Sequence, residues 1–303
     1  MKRFFALLTA LNLFVIHAVA QSHQFDPPWN TPPESKVQFT IPGIDNIPDL
    51  YGDINDPQLV VFFAGNQFMC VDELLTEFKK IHPKYTRIFV ETLPPGILAK
   101  QMNGGSITVG NMRITLAPDI YTATSSAIAR MSNLFSDTAT YAYNSLSIMV
   151  SKGNPKHIEG LKDLGRTDVT VSMPNPQWEG IGTLIEDAYV KTGGEVLRKM
   201  IMETKVNDSS TYLTQIHHRQ SPMRVLYNQS DAAPVWYSEV FYQLMINHPV
   251  ELVRIPANEN VTDSYCAGLL KNAPHTEAGK DFLNFLKSST AKAVYRKYGF
   301  DVN

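Results

Sequence analysis

Residues 58–64 read QLVVFFA, and residues 71–81 read VDELLTEFKKI. The first is an unbroken apolar run rich in β-branched and aromatic residues, the pattern of a strand buried on both faces of a parallel sheet. The second changes period. Val71, Leu74, Leu75, Phe78 and Ile81 recur at helical spacing, while Asp72, Glu73, Glu77, Lys79 and Lys80 take the opposite face. A buried strand feeding an amphipathic helix is the unit from which parallel α/β folds are built.

The unit repeats toward the C-terminus. Arg87 to Val90 predicts a second strand, Gly96 to Met102 a short helix, and Ile114 to Tyr121 a third strand running into the polar stretch 122–126. Such repetition implies a parallel sheet with right-handed crossovers. Leu146 to Ser151, Val169 to Met173, Met223 to Leu226 and Ala233 to Tyr237 read as strands of a second sheet, with helices at Gly182 to Thr192 and Glu195 to Glu203. Ser264 to Leu269 suits one more strand. Glu277 to Lys287 and Thr290 to Tyr298 close the chain as amphipathic helices. No internal repeat or low-complexity tract is present.

Toward the N-terminus the pattern is different. Lys2 and Arg3 precede an uncharged apolar stretch from Phe4 to Ile16, followed by Ala18-Val19-Ala20, which predicts an export signal over residues 1–20 cleaved before Gln21. That stretch is too short to span a bilayer core of roughly 30 Å, and no later segment reaches about eighteen uncharged apolar residues. No cysteine sits at the cleavage point to carry a lipid anchor. A free periplasmic protein is expected. Residues 21–35, with Pro27, Pro28, Pro32 and Pro33, suit neither helix nor strand and read as an extended arm.

Lys and Arg number 27 against 29 Asp and Glu. Without the signal, which carries two of the bases, the balance is about −4, arguing against nucleic acid or an anionic membrane as partner. Cys70 and Cys266 are the two cysteines. A single long-range disulfide is open in an oxidising compartment, and two buried thiols are the plainer alternative. A mature length of about 280 residues favours two domains.

In open parallel sheets ligands bind beyond the carboxyl ends of the strands, where helix-start amides are free and favour anions. The loops so placed are 65–68, 91–96, 122–126, 175–182 and 236–237. No GxSxG elbow, HExxH pair, phosphate loop or GxGxxG after a strand occurs, so no enzyme activity, catalytic residue, metal or cofactor is expected.

Across residues 59–300 the series FFAGNQF, ETLPPGILAKQM, APDIYTATSSAI, YNSLSIMVSKGNP, LKDLGRTDVTVSMPNPQWEGIGTLIEDAY and DFLNFLKSSTAKAVYRKYGF resembles the periplasmic solute-binding proteins of molybdate-type ABC transporters, which have the type II binding-protein fold. The order and spacing of the whole series carry the resemblance, above all the NP-plus-glycine segment ahead of a helix and the closing FLKSS…YGF. The resemblance implies an α/β fold of two lobes, each a mostly parallel sheet flanked by helices, joined by crossings near Tyr143 to Leu146 and between Val253 and Tyr265. Residues 36–143 with 262–303 would form one lobe and 144–261 the other. It further implies a monomer that traps a small, oxyanion-like ligand between the lobes and delivers it to a membrane permease. A sensing subunit presenting its closed form to a membrane kinase is the alternative within this fold, and a secreted enzyme the alternative outside it.

The chain also departs from the family. Oxyanion-binding relatives carry a small hydroxyl residue after the first strand and a serine-containing turn after the second, where this chain has Asn66 and Glu91-Thr92-Leu93-Pro94-Pro95. Inside the cleft, Glu91 would repel a dianion, pair with a cationic or metal centre, or donate a hydrogen bond if protonated; turned outward, it would simply be solvated. The candidate ligand-binding set is Asn66, Gln67, Glu91, Thr92, Thr124, Ser125, Trp178, Gly180, Ile181, Arg219 and Tyr237. Trp178 serves as a wall of the site or a lid on the core, and Trp236 and Tyr237 as ligand contacts or interlobe packing. Adjacent histidines diverge, so His217 and His218 suit surface or hydrogen-bonding roles better than one metal, whereas Arg219 would offset an anion. Met69 and Cys70 read as core.

Overall fold

The computed structural model describes residues 36–41 and 44–303. The expected signal and arm lie outside these residues. Lys36–Phe39 (β1) and Leu50–Asp53 (β2) form an antiparallel pair ahead of the quoted run. The run itself becomes Leu59–Phe62 (β3), and a 3₁₀ turn over Gly65–Gln67 enters Phe68–Ile81 (α1). Ile88–Glu91 (β4) follows, parallel to β3. Pro95 opens Pro95–Gly104 (α2), where the missing N–H has no intrahelical partner to lose, and Gly105 at φ 71° ends it in the left-handed region.

Two expectations fail in the next stretches. The third strand does not begin at Ile114, because Ile107–Val109 (β5) and Met112–Ile114 (β6) form a hairpin. Pro118, lacking a donor, then separates it from Ile120–Thr124 (β7). The Thr124 hydroxyl caps Ser125–Arg130 (α3) by accepting the Ala127 N–H. Phe135–Ser151 (β8) is one strand of 17 residues, of which the sequence reveals only the apolar end. Val171–Met173 (β9) leads to Gly180–Lys199 (α4), in which the non-helical Gly193 and Gly194 divide two helical stretches, as the two expected helices require. After Lys205–Asn207 (α5) and Thr211–Leu213 (β10), the segment expected as a strand at Met223 to Leu226 is instead helix Gln220–Leu226 (α6). A short apolar run does not distinguish the two, and Pro222 falls in the first turn, where helices tolerate it. Ala232–Trp236 (β11), Tyr237–Met245 (α7), Val250–Arg254 (β12), Thr262–Leu270 (β13), Thr276–Leu286 (α8) and Ser289–Lys297 (α9) complete the fold.

Eleven of these strands join in one mixed sheet, ordered β1-β2-β4-β3-β7-β13-β8-β11-β9-β10 with β12 also on β8. Two lobes result. In the first, β4, β3 and β7 run parallel; in the second, β11, β9 and β10 do. The opening part of β8 pairs with β13, and its end pairs with β11 and β12, so a single strand serves both lobes. The other link is the segment between β12 and β13. The two links are fastened together, since the Asn260 side chain accepts the Leu146 N–H at 3.0 Å and donates to the Leu146 carbonyl at 2.9 Å.

Burial explains the continuous apolar run. Leu59 and Val61 enter a core built with α1, α8 and α9, while Val60 and Phe62 enter another with Leu93, Leu98 and Ile128. Each fully buried side chain of this size stabilises the fold by about 1.5–3 kcal/mol. The second lobe likewise has a core on each face of its sheet. Cys70 and Cys266 fall into different cores of the first lobe and are free thiols.

Candidate functional site

The carboxyl ends of β3, β4, β7, β9 and β11 contribute to one cavity of about 280 Å³. From the first lobe come Ala64 and Asn66 after β3, Pro94 to Gly96 after β4, and Thr124 at the end of β7, with Tyr121, Arg130 and Tyr265 beside them. The second lobe supplies Trp178 to Ile181, His218 and Trp236. A slightly larger cavity of about 310 Å³ beside Gln101 and Leu270 is walled by the first lobe alone, away from these strand ends. The former lies between the lobes.

Local sequence explains the second-lobe wall. A Cβ on Gly182 would lie 2.6 Å from the Pro176 nitrogen and 2.7 Å from the Pro174 carbonyl, so the proline turn packs onto the start of α4 only because residue 182 is glycine. This brings Trp178, Gly180 and Ile181 to the cavity. The lobes approach closely here, a Cβ on Gly96 falling 3.2 Å from the Trp178 carbonyl. The Trp178 indole N–H is buried without a partner among the described residues.

The electrostatic centre of the wall is a buried row of Glu179, His218 and Glu239. His218 Nδ1 lies 3.3 Å from Glu179 Oε1, and its Nε2 lies 3.3 Å from Glu239 Oε1. Burial alone would lower the imidazole pKa, but the two carboxylates outweigh it and raise it to about 9. His218 is therefore an imidazolium at neutral pH. The other oxygens of the two acids are held by the backbone: Glu179 Oε2 accepts the Asn175 N–H at 3.1 Å, and Glu239 Oε2 the Trp236 N–H at 3.2 Å. The Thr214 hydroxyl also donates to Glu179 Oε2.

Of the expected site residues, Asn66, Thr124, Trp178, Gly180 and Ile181 meet at the cavity. The others are engaged elsewhere. Gln67 accepts from the Tyr141 and Tyr295 hydroxyls at 2.9 and 2.8 Å. The Thr92 hydroxyl donates to the Pro48 carbonyl, and Ser125 accepts from the Ser264 hydroxyl. Tyr237 stacks with Phe241 beneath the Arg254 guanidinium. Glu91 neither turns to solvent nor lines the cavity. It is fully buried, accepts from Gln101 Nε2 at 2.8 Å, and burial pushes its carboxyl up to about 8 against that hydrogen bond.

Arg219 is buried too, but against protein carboxylates. Its Nε donates to Asp45 Oδ2 at 2.9 Å and its Nη2 to Asp49 Oδ1 at 2.6 Å, with the Phe68 ring 5.2 Å away. A surface role for the neighbouring histidines is overturned, since both are buried and their ring centroids lie 4.3 Å apart. Among the described residues Glu179, His217 and His218 offer ligand atoms within 4.8 Å of one another. His217 Nδ1, however, accepts the Arg219 N–H, and both His218 nitrogens face carboxylates, so the cluster is committed within the protein.

Tyr121, Arg130, His218 and Tyr265 line the cavity without having stood among the expected ligand contacts. Arg130 carried a usable signal, as the cation ending a helix that starts from a strand-end loop. Tyr265, on a crossing strand, carried none.

Two α/β lobes that share a crossing strand and enclose a cavity at their strand ends define a periplasmic-binding-protein architecture. The chain belongs to the family of bacterial extracellular solute-binding proteins, whose pattern it matches over residues 59–301. The molybdate-binding protein ModA of Mycobacterium bovis is 25% identical over 181 residues, covering 59% of this chain and 62% of the relative. The alignment thus spans less than two thirds of that relative's length. Among solved structures, the periplasmic molybdate-binding protein of Azotobacter vinelandii superposes with a TM-score of 0.65 at 15% identity, covering 81% of this chain and 99% of that one. The sulfate-binding protein SubI of Mycobacterium tuberculosis gives 0.63 at 17%, covering 80% and 86%. At such identities the structures share the fold.

Proposed function

We propose that this protein captures a small solute between its lobes in the periplasm and delivers it to the membrane permease of an ABC transporter. The observation that carries the reading is the cavity assembled from five strand ends, three on one lobe and two on the other. A site divided in this way is complete only when the lobes meet, so ligand binding and closure are one event. The dividing points are residues 143–144 and 261–262, and the protein acts as a monomer. An acidic group on the ligand, in line with the molybdate and sulfate named for its relatives, would be received on the first-lobe side of the cavity by Asn66 and Arg130.

Small-angle scattering with titration calorimetry tests the reading. A bound solute should reduce the radius of gyration and raise the melting temperature as its concentration passes the dissociation constant. A tightly bound solute that leaves the scattering profile unchanged would sink it.

A further inference from the structure

We propose that the solute of this cleft is a small organic zwitterion, with a cationic nitrogen turned to Glu179 and an acidic group turned to Arg130, rather than a free inorganic dianion. This narrows the preceding reading and rests on it. Three observations lead there.

First, the helix starts of the second lobe are already supplied with negative charge. Glu179 occupies the N-cap position of α4 and Glu239 lies in the first turn of α7, each accepting backbone N–H groups. Two carboxyl groups flank a single imidazole in this row, so a dianion entering here meets acidic oxygens where helix starts usually attract it. Glu179 belongs to the cavity lining, and its Oε1, 3.3 Å from His218 Nδ1, keeps a further lone pair for a cationic donor that reaches the row.

Second, the cationic side chains are placed asymmetrically. Arg219 is committed to Asp45 and Asp49, whereas Arg130 lines the cavity from the first lobe, with no ion-pair partner within 4 Å among the described residues. Acid and base therefore sit on opposite lobes, and a ligand of matching polarity would draw them together.

Third, the space exceeds an ion. About 280 Å³ corresponds to roughly nine waters at about 30 Å³ each. Its walls include Tyr121, Trp178, Trp236 and Tyr265, whose ring faces attract ammonium groups and cover an apolar body.

The test is calorimetry on the full mature chain, stripped of bound solute by denaturation and refolding. The probes are molybdate, sulfate, the twenty amino acids and glycine betaine, with the deaminated and decarboxylated analogues of the tightest zwitterion. The proposal expects a zwitterion to bind one to one, and each analogue at least tenfold more weakly. Glu179→Gln should weaken the zwitterion about tenfold, and Arg130→Gln, a change at an exposed position that spares the fold, should do likewise. Tighter binding of molybdate or sulfate than of any zwitterion overturns the proposal while leaving the solute-binding reading intact. If no probe binds the refolded chain, the zwitterion proposal fails; if, in addition, protein isolated from its own periplasm carries no solute by native mass spectrometry, the underlying reading fails with it. Equal affinity for a zwitterion and both of its analogues also overturns it.

Discussion

Arg219 of one lobe holds Asp49 of the other at 2.6 Å, with both side chains withdrawn from water. The aspartate belongs to the hairpin loop ahead of residue 59, where the family match begins, so the contact comes from a part of the chain that the family pattern does not cover. Removing one partner of a buried pair strands the other, and Asp45 and Asp49 would both be stranded here. Arg219→Ala should therefore cost about 3–5 kcal/mol in urea unfolding. Adding Asp45→Asn and Asp49→Asn to the same chain should recover a large part; a triple variant as weak as the single one would show that lost packing dominates.

Stability should fall as pH rises from mildly acidic to alkaline values. Glu91 is raised by burial from 4.5 to about 8, so between those values the folded chain keeps a proton that the unfolded chain has released. His218 keeps its proton up to about 9, whereas the unfolded side chain loses it near 6.5. Both contributions are present at low pH and are lost through these windows, each tenfold difference in proton affinity being worth about 1.4 kcal/mol. His217 acts in the opposite sense, since burial and then Arg219 hold it well below its usual range, and it costs stability below about pH 6.5. Melting temperatures for Glu91→Gln should be flatter than wild type between pH 5 and 8, and higher at pH 8. A parallel pair of curves would contradict the assignment.

Gly182→Ala forces a methyl group against the Pro174 carbonyl and the backbone of Pro176. Overpacking of this kind costs about 1–3 kcal/mol. Because the displaced segment carries Trp178, Gly180 and Ile181, solute affinity should fall along with stability. Wild-type affinity in a destabilised Gly182→Ala protein would remove the α4 start from the site.

Two of the three tryptophans, Trp178 and Trp236, line the cavity. Intrinsic emission should change when solute enters, and Trp178→Phe should remove much of that change while leaving the unfolding midpoint nearly unaltered. A full signal in the variant would place the solute elsewhere.

Local pattern revealed much of the framework, because a strand buried on both faces and an amphipathic helix each write their period into a few adjacent residues. Residues 59–62 and 68–81 follow that rule, and so do the helix starts that bring Asn66, Thr124, Trp178, Gly180 and Ile181 to the cavity. What stayed hidden depends on distant partners. Arg219 has the charge of an anion receptor, and only the aspartates 174 and 170 positions away remove it from that role. Gln67 is taken by a tyrosine 228 positions away. Glu91 illustrates another limit, since burial of a carboxylate depends on the sheet stacked around it and leaves no trace in neighbouring residues.

Asn260 fastens the two chain segments that pass between the lobes among the described residues, taking both backbone groups of Leu146 as a neighbouring strand would. Two separate tethers would let the lobes slide, twist and tilt independently. Sewn together at Leu146, between the ladders that β12 and β13 each make with β8, they form a single axle about which closure can turn. On the proposed solute-capture reading, a single angle between the lobes would then report whether the cleft is filled.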